Sequence, residues 1–93
     1  MKFLRTPEHL HLMRMLADAR EAAGLTQAEL AALIGEKQNF ISKYERGERR
    51  LDFLEVVAIA KPMQFDFNQA VQVLEAHHGP IINPRLRKPR RVG

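Results

Sequence analysis

One short segment carries the side chains best suited to chemistry with an anionic partner. Residues 37–50 contain five Lys or Arg residues and two Glu residues. An amide can pair with the edge of a base through two hydrogen bonds, and a cation can reach a guanine or a phosphate. On a helix, the outward-facing residues of this segment are Lys37, Gln38, Asn39, Ser42, Lys43 and Arg46. Such a face fits the major groove of DNA, and the alternative is an ordinary solvated surface.

Two short helices with a sharp turn between them must position these side chains. Thr26 and Glu29 have the spacing of a capping box, which begins a helix of about eight residues. Gly35 suits the turn because glycine adopts a positive φ without steric cost. The second helix is expected from about residue 37 to 46, which makes residues 27–46 a helix-turn-helix motif. Side chains expected to face the core are Leu30, Ala31, Leu33, Ile34, Ile41 and Tyr44.

Three further helices complete an all-α prediction of five short helices around one core. The first spans residues 8–23. The fourth begins after Asp52, the first residue of a second capping box, and is expected to end near Ala60, before Pro62. The fifth spans residues 67–78. Its apolar stripe is expected to comprise Phe67, Ala70, Val71 and Leu74.

Length and composition suggest one domain with a basic tail. The 93 residues suit a single domain, expected over residues 1–79. Residues 80–93 hold three of the five prolines and a run of cations without an acid, which predicts a flexible, largely disordered tail. The tail either follows a DNA backbone or enters a minor groove, binds a partner protein on contact, or keeps the chain soluble.

Several classes of function lack support in the sequence. With no Cys there is no disulfide, thiolate metal site or cysteine nucleophile, and no catalytic motif is present, so an enzyme is not expected. Neither a membrane-spanning run nor a secretory signal is found, so a cytoplasmic protein is expected. No two histidines have the i, i+4 spacing of a helical zinc site, and the adjacent pair is expected to point to different faces. We therefore expect no metal and no cofactor at His9, His11, His77 and His78.

The ordered set of motifs resembles the Cro and phage-repressor (XRE) family of helix-turn-helix proteins. The matching elements are Gly24-Leu25-Thr26-Gln27, Glu29-Leu30-Ala31, Gly35, Ile41-Ser42 and Tyr44-Glu45-Arg46-Gly47. The resemblance covers about residues 16–60 and implies a five-helix, lambda-repressor-like DNA-binding domain. Residues 61–65 depart from the family pattern, which usually has a glycine-containing turn there.

The resemblance also implies roles for individual residues. Base contacts are expected from Lys37, Gln38, Asn39, Ser42 and Lys43. Phosphate contacts are expected from Gln27, Arg46, Arg49 and Arg50. The family pattern further implies a structural ion pair between Arg20 and Glu45. Phe40 has two interpretations, a contact with a thymine methyl group or inward packing.

A sequence-specific regulator of transcription is the function that this resemblance implies. The expectation is a repressor that binds double-stranded DNA in the bacterial nucleoid, as a homodimer on a palindromic operator. The Val71 and Leu74 stripe or the N-terminal apolar residues are candidates for the dimer surface. The alternative is the antitoxin of a toxin–antitoxin pair, which binds a partner protein and its own promoter. A transcriptional bridge with little base specificity is a third hypothesis.

Overall fold

The computed structural model describes residues 6–80, and five helices and no strand occur within that range. Their bounds are α1 Pro7–Ala22, α2 Gln27–Ile34, α3 Gln38–Glu45, α4 Phe53–Met63 and α5 Phe67–His78. The all-α prediction is thereby confirmed. Between residues 6 and 80 no helix has the length and apolar character needed to cross a membrane. The tail predicted for residues 80–93 lies, apart from Pro80, outside the described residues.

Side-chain caps fix where most of the helices begin. The Thr26 hydroxyl accepts the Glu29 amide at 3.0 Å, and the Glu29 carboxylate accepts the Thr26 amide at 2.8 Å. Asp52 and Glu55 make the same reciprocal pair at 2.8 and 2.9 Å. Both predicted capping boxes are therefore confirmed. Helix α3 differs, because Lys37 precedes it without a side-chain cap, so side chains at this end of α3 do not satisfy its first amides.

The turn between α2 and α3 is short because α2 ends tightly. Gly35 adopts a left-handed conformation with a φ of +73°. Its amide donates to the Ala32 carbonyl, and the next amide, that of Glu36, donates to the Ala31 carbonyl at 2.9 Å. This is the Schellman arrangement, in which two otherwise unpaired carbonyls of the last turn gain donors. Helix α3 can then begin three residues later.

The expected end of α4 before Pro62 is wrong, because the helix continues to Met63. Proline has a φ that is compatible with a helix, although it removes one backbone hydrogen bond and its ring crowds the carbonyl four residues earlier. Both effects are confined to the last turn, because α4 ends one residue after Pro62. The helix ends in another Schellman arrangement, in which the Gln64 and Phe65 amides donate to the Lys61 and Ala60 carbonyls. Gln64 takes the left-handed position with a φ of +54°. A glutamine thus occupies a left-handed position that glycine most often fills.

The core lies where α1, α2, α3 and α4 meet. Its fully buried side chains come from all four helices and include Leu16, Leu30, Ile41, Tyr44 and Ile59. Ala31 is also buried, as expected for a small residue where two helices approach closely. Helix α5 packs on α1 and buries Ala70 and Leu74.

Three apolar residues expected in the interior are exposed. Leu33 is 61% exposed, because Leu30, Ala31 and the half-buried Ile34 occupy the side of α2 that faces the core. On α5, Phe67 and Val71 are also exposed. The buried stripe of α5 is therefore narrower than the sequence pattern indicated.

His77 and His78 were expected to point to different faces, and the structure shows that both nevertheless contact the same side chain. The rings of both lie against the ring of His11 on α1, with centroids 5.1 Å apart in each case. Adjacent residues diverge by about 100° around a helix. The ring from the neighbouring helix fits into the angle between them. Histidines that are distant in sequence are thus neighbours where α1 and α5 pack.

Candidate nucleic-acid interface

Helix α3 separates two opposite surfaces. Ile41 and Tyr44 are completely buried on its inner side. Burial raises the pKa of the Tyr44 hydroxyl. Four of the residues expected to contact bases lie on the outer side of α3, where Ser42 is half-buried and Gln38, Asn39 and Lys43 are exposed. The fifth, Lys37, is exposed immediately before the helix. Tertiary packing therefore presents their amide, hydroxyl and ammonium groups together on one surface.

A buried ion pair fixes the C-terminal end of α3 to α1. Arg20 Nε donates to Glu45 Oε2 at 2.7 Å, and Arg20 Nη2 donates to Glu45 Oε1 at 3.1 Å. The two side chains are 10% and 8% exposed. The third guanidinium nitrogen, Nη1, donates to the Leu25 carbonyl at 2.8 Å. The hydrogen bond with Glu45 is the main reason that the pKa of Arg20 is raised. This pair holds three parts of the domain in one arrangement.

Gln27 connects the buried ion pair to the outer surface. Its Nε2 donates to Glu45 Oε1 at 2.9 Å, and its Oε1 accepts from Gln38 Nε2 at 3.4 Å. The second contact is long and therefore weak. An amide nitrogen has two hydrogens, so Gln27 and Gln38 each keep one N–H beyond these contacts. The network orients both amides without using all their hydrogen-bonding capacity.

Two of the arginines expected to contact phosphates have acidic partners. Arg46 donates to both carboxylate oxygens of Glu48, at 3.1 and 3.0 Å, and also contacts the Ser42 hydroxyl. Arg49 donates to both oxygens of Glu55 at 3.0 Å. The pKa of Glu55 is lowered, chiefly by this hydrogen bonding from Arg49. Because these pairs reduce the local positive charge, Arg46 and Arg49 attract a phosphate less strongly than two arginines without acidic partners would.

Phe40 supports this surface from below. It is half-buried against the core and lies edge-on to Tyr44, with ring centroids 5.6 Å apart. The Arg49 guanidinium carbon lies 4.6 Å from the centroid of the Phe40 ring, within cation–π range. Of the two interpretations, inward packing matches the structure. Phe40 and Glu55 thus hold Arg49 at the edge of α3.

Positive charge on the outer face comes mainly from two lysines. Lys37 and Lys43 are exposed and make no ion pair with another side chain of residues 6–80. They border an open depression of about 440 Å³ together with Gly35, Asn39 and Phe40. Arg50 is also exposed, beyond the end of α3. The surface therefore combines base-pairing amides with cations that remain able to attract a polyanion.

Comparisons with known proteins agree with this geometry. A helix-turn-helix family model matches residues 16–68, which is more than half of the chain. Among solved structures, an XRE-family like protein from Pseudomonas syringae pv. tomato str. DC3000 is similar, with a TM-score of 0.72. The two sequences are 39% identical, and the match covers 83% of this chain and 94% of that chain. No curated protein sequence matches the chain.

The family match and the geometry coincide in the same residues. The matched range begins at Leu16 and includes the buried Arg20–Glu45 pair, the tight turn at Gly35 and all of α3 and α4. From these observations we conclude that the chain belongs to the XRE-type helix-turn-helix family of DNA-binding regulators.

Proposed function

We propose that this chain regulates transcription by binding a specific double-stranded DNA sequence as a homodimer, with α3 in the major groove. The observation that carries the proposal is the outer face of α3, where exposed amides and two lysines without an ion-pair partner among residues 6–80 lie above a buried ion pair that fixes the helix. A major groove about 12 Å wide admits one α-helix. In the cytoplasmic nucleoid, a dimer bound over a promoter excludes polymerase, so repression is the proposed outcome.

Gln38 is the residue whose side-chain amide is best oriented to form hydrogen bonds with a base. Its carbonyl oxygen and its second N–H remain for an adenine, where they fit the N6 and N7 positions. Its weak contact with Gln27 orients the amide before DNA arrives, which lowers the entropy lost on binding. Asn39, one residue further, has the same donor and acceptor groups for a neighbouring base. Lys37 and Lys43 lie on either side for guanine or phosphate contacts.

Phosphate contacts are assigned on different grounds. Gln27 is the first residue of α2, where unpaired helix amides favour an anion. Arg46, Arg49 and Arg50 follow α3 in the loop that leads to α4. Arg46 and Arg49 must share their guanidinium groups with Glu48 and Glu55 when they contact a phosphate.

Exposed apolar side chains support self-association. Phe53 and Leu54, at the start of α4, are 75% and 76% exposed. They follow the arginine loop directly, so a second copy packed on them would lie close to the DNA-facing side. Two recognition helices on one face of a duplex must lie about 34 Å apart. Sedimentation of wild type and Phe53→Glu tests this, because a monomeric wild type would contradict the homodimer.

The test of base recognition by Gln38 compares two variants, each of which removes one exposed glutamine amide. Gln38→Ala is expected to lose about 1–3 kcal/mol on the best DNA sequence selected from a random pool, and little on unrelated DNA. Gln72→Ala removes an exposed amide from α5 and is expected to change neither affinity. Equal losses by Gln38→Ala on both DNAs would remove Gln38 from the base-reading role.

A further inference from the structure

Three imidazole rings meet where the start of α1 packs against the end of α5. His11 Nδ1 and His78 Nε2 are 2.9 Å apart. The rings of His77 and His78 both lie with their centroids 5.1 Å from that of His11. The centroids of His77 and His78 are 6.2 Å apart. The DNA-binding function assigned to α3 uses none of these three side chains.

The spacing of the rings resembles that of imidazoles bound to one zinc ion. With Zn–N bonds of about 2.0–2.1 Å and tetrahedral angles, two ligand nitrogens lie about 3.3 Å apart and their ring centroids about 5.2 Å apart. His11 and His78 have a nitrogen separation of 2.9 Å and a centroid separation of 5.1 Å. The two rings now meet almost head to head, so a metal ion between them requires an opening of a few tenths of an ångström and a tilt of each ring by about 35°. The proton shared by the two nitrogens then moves to the other nitrogen of its ring.

Hydrogen bonding selects the coordinating nitrogen of His77. Its Nδ1 lies 3.0 Å from the Val73 carbonyl oxygen. A carbonyl can only accept, so Nδ1 carries the hydrogen and the lone pair is on Nε2. Carbonyl partners of this kind orient the imidazole ligands of metal sites. His11 and His78 are half-buried and His77 is exposed, so solvent and ions can reach all three.

We propose that His11 and His78 chelate a divalent transition metal such as Zn²⁺, with His77 as a third ligand and water completing the coordination. Imidazole nitrogens suit zinc, nickel and copper better than magnesium or calcium. Within residues 6–80, no three ligand groups already surround one point. The His77 ring therefore moves towards the preformed pair when the metal binds. The helical spacing rule missed this site because its ligands come from two helices 67 residues apart in sequence.

Metal binding at this position links the first and last helices of the domain. Helix α5 packs on α1. A metal ion bound by histidines of both helices adds a second connection near the C-terminal end of α5. A ligand that binds the folded state more tightly than the unfolded state raises the melting temperature as its concentration increases.

The full chain, freed of metal by a chelator, is titrated with Zn²⁺ by calorimetry and by thermal unfolding. We expect one zinc per chain and a Tm that rises with zinc concentration. His11→Gln and His78→Gln are expected to abolish both effects. His77→Gln is expected to weaken binding at least tenfold without abolishing it.

His9→Gln provides the matched control, because it removes a histidine of α1 that is outside the three-ring cluster. It is expected to retain zinc binding. Circular dichroism without metal establishes that each variant is folded. Because His11 and His78 lie on separate helices, the proposal can still be tested if one of the two variants does not fold. Absence of saturable zinc binding by the wild type, or unchanged binding by both His11→Gln and His78→Gln, would overturn the proposal.

Discussion

The buried ion pair leads to the most demanding prediction, which concerns removal of Glu45. Glu45→Ala removes the buried carboxylate partner of Arg20, whose side chain is 10% exposed in the wild type, and leaves it only the 70% exposed Glu21 carboxylate at 3.8 Å. It also removes the acceptor for Gln27 Nε2. Stranding one charge of a buried pair costs about 3–5 kcal/mol. The free energy of unfolding is expected to fall by that amount.

Urea unfolding followed by circular dichroism measures this loss. With a slope of about 1 kcal/mol per M for a small domain, the midpoint is expected to fall by about 3 M or more. The matched control is Glu48→Ala, which breaks the Arg46–Glu48 pair. Those side chains are 52% and 51% exposed, so the expected loss is below about 1 kcal/mol.

A double variant separates the charge from the packing. Arg20→Met with Glu45→Leu replaces both members by apolar side chains, so no charge remains stranded. It is expected to recover most of the stability lost by Glu45→Ala. If Glu45→Ala costs no more than Glu48→Ala, burial of the pair has no energetic consequence and the reasoning is refuted.

Three further predictions concern other parts of the chain. Gln64→Gly relieves the positive φ at the end of α4 and is expected to stabilise the fold by about 0.5–1 kcal/mol in urea unfolding; destabilisation would contradict this. Because the pKa of Glu55 is lowered from 4.5 in the folded state, its contribution exists above about pH 4.5 and disappears as the pH falls further. The difference in free energy of unfolding between wild type and Glu55→Gln should therefore decrease as the pH falls below about 4.5. A difference that stays constant with pH would show that the Arg49–Glu55 pair is not the source of that stability. Deletion of residues 85–93 is expected to reduce the salt slope of DNA binding by about 0.9 per lost phosphate contact without changing the preferred sequence, whereas an unchanged slope would mean that the tail does not touch DNA.

Local sequence rules predicted most helix boundaries because each depends on a few neighbouring residues. The capping boxes at Thr26 and Asp52 and the left-handed glycine at Gly35 are examples. The continuation of α4 through Pro62 was missed because the prediction took the proline as the end of the helix, whereas α4 ends at Met63 and Gln64 takes the left-handed position after it. The rule for proline is a preference and not a prohibition.

Tertiary contacts account for the features of the site that the sequence did not reveal. The pairing of Arg49 with Glu55 was not anticipated because Glu55 already had a role as a capping residue, and its carboxylate serves both partners. Exposure of Leu33 depends on where α2 meets its neighbours. The grouping of His11 with His78 depends on how α1 and α5 pack. Side-chain spacing within one helix contains no information on such contacts.

Selection of binding sites from a random pool of double-stranded DNA, at about 150 mM salt, tests the central claim most directly. A specific dimeric regulator predicts enrichment of a two-fold symmetric sequence whose half-sites are about one helical turn apart. The same selection with Gln38→Ala is expected to lose preference at one position in each half-site. Binding without sequence enrichment, which disappears as the salt concentration rises, would contradict base reading by α3. That result would leave backbone attraction alone and favour a partner protein as the target of this chain.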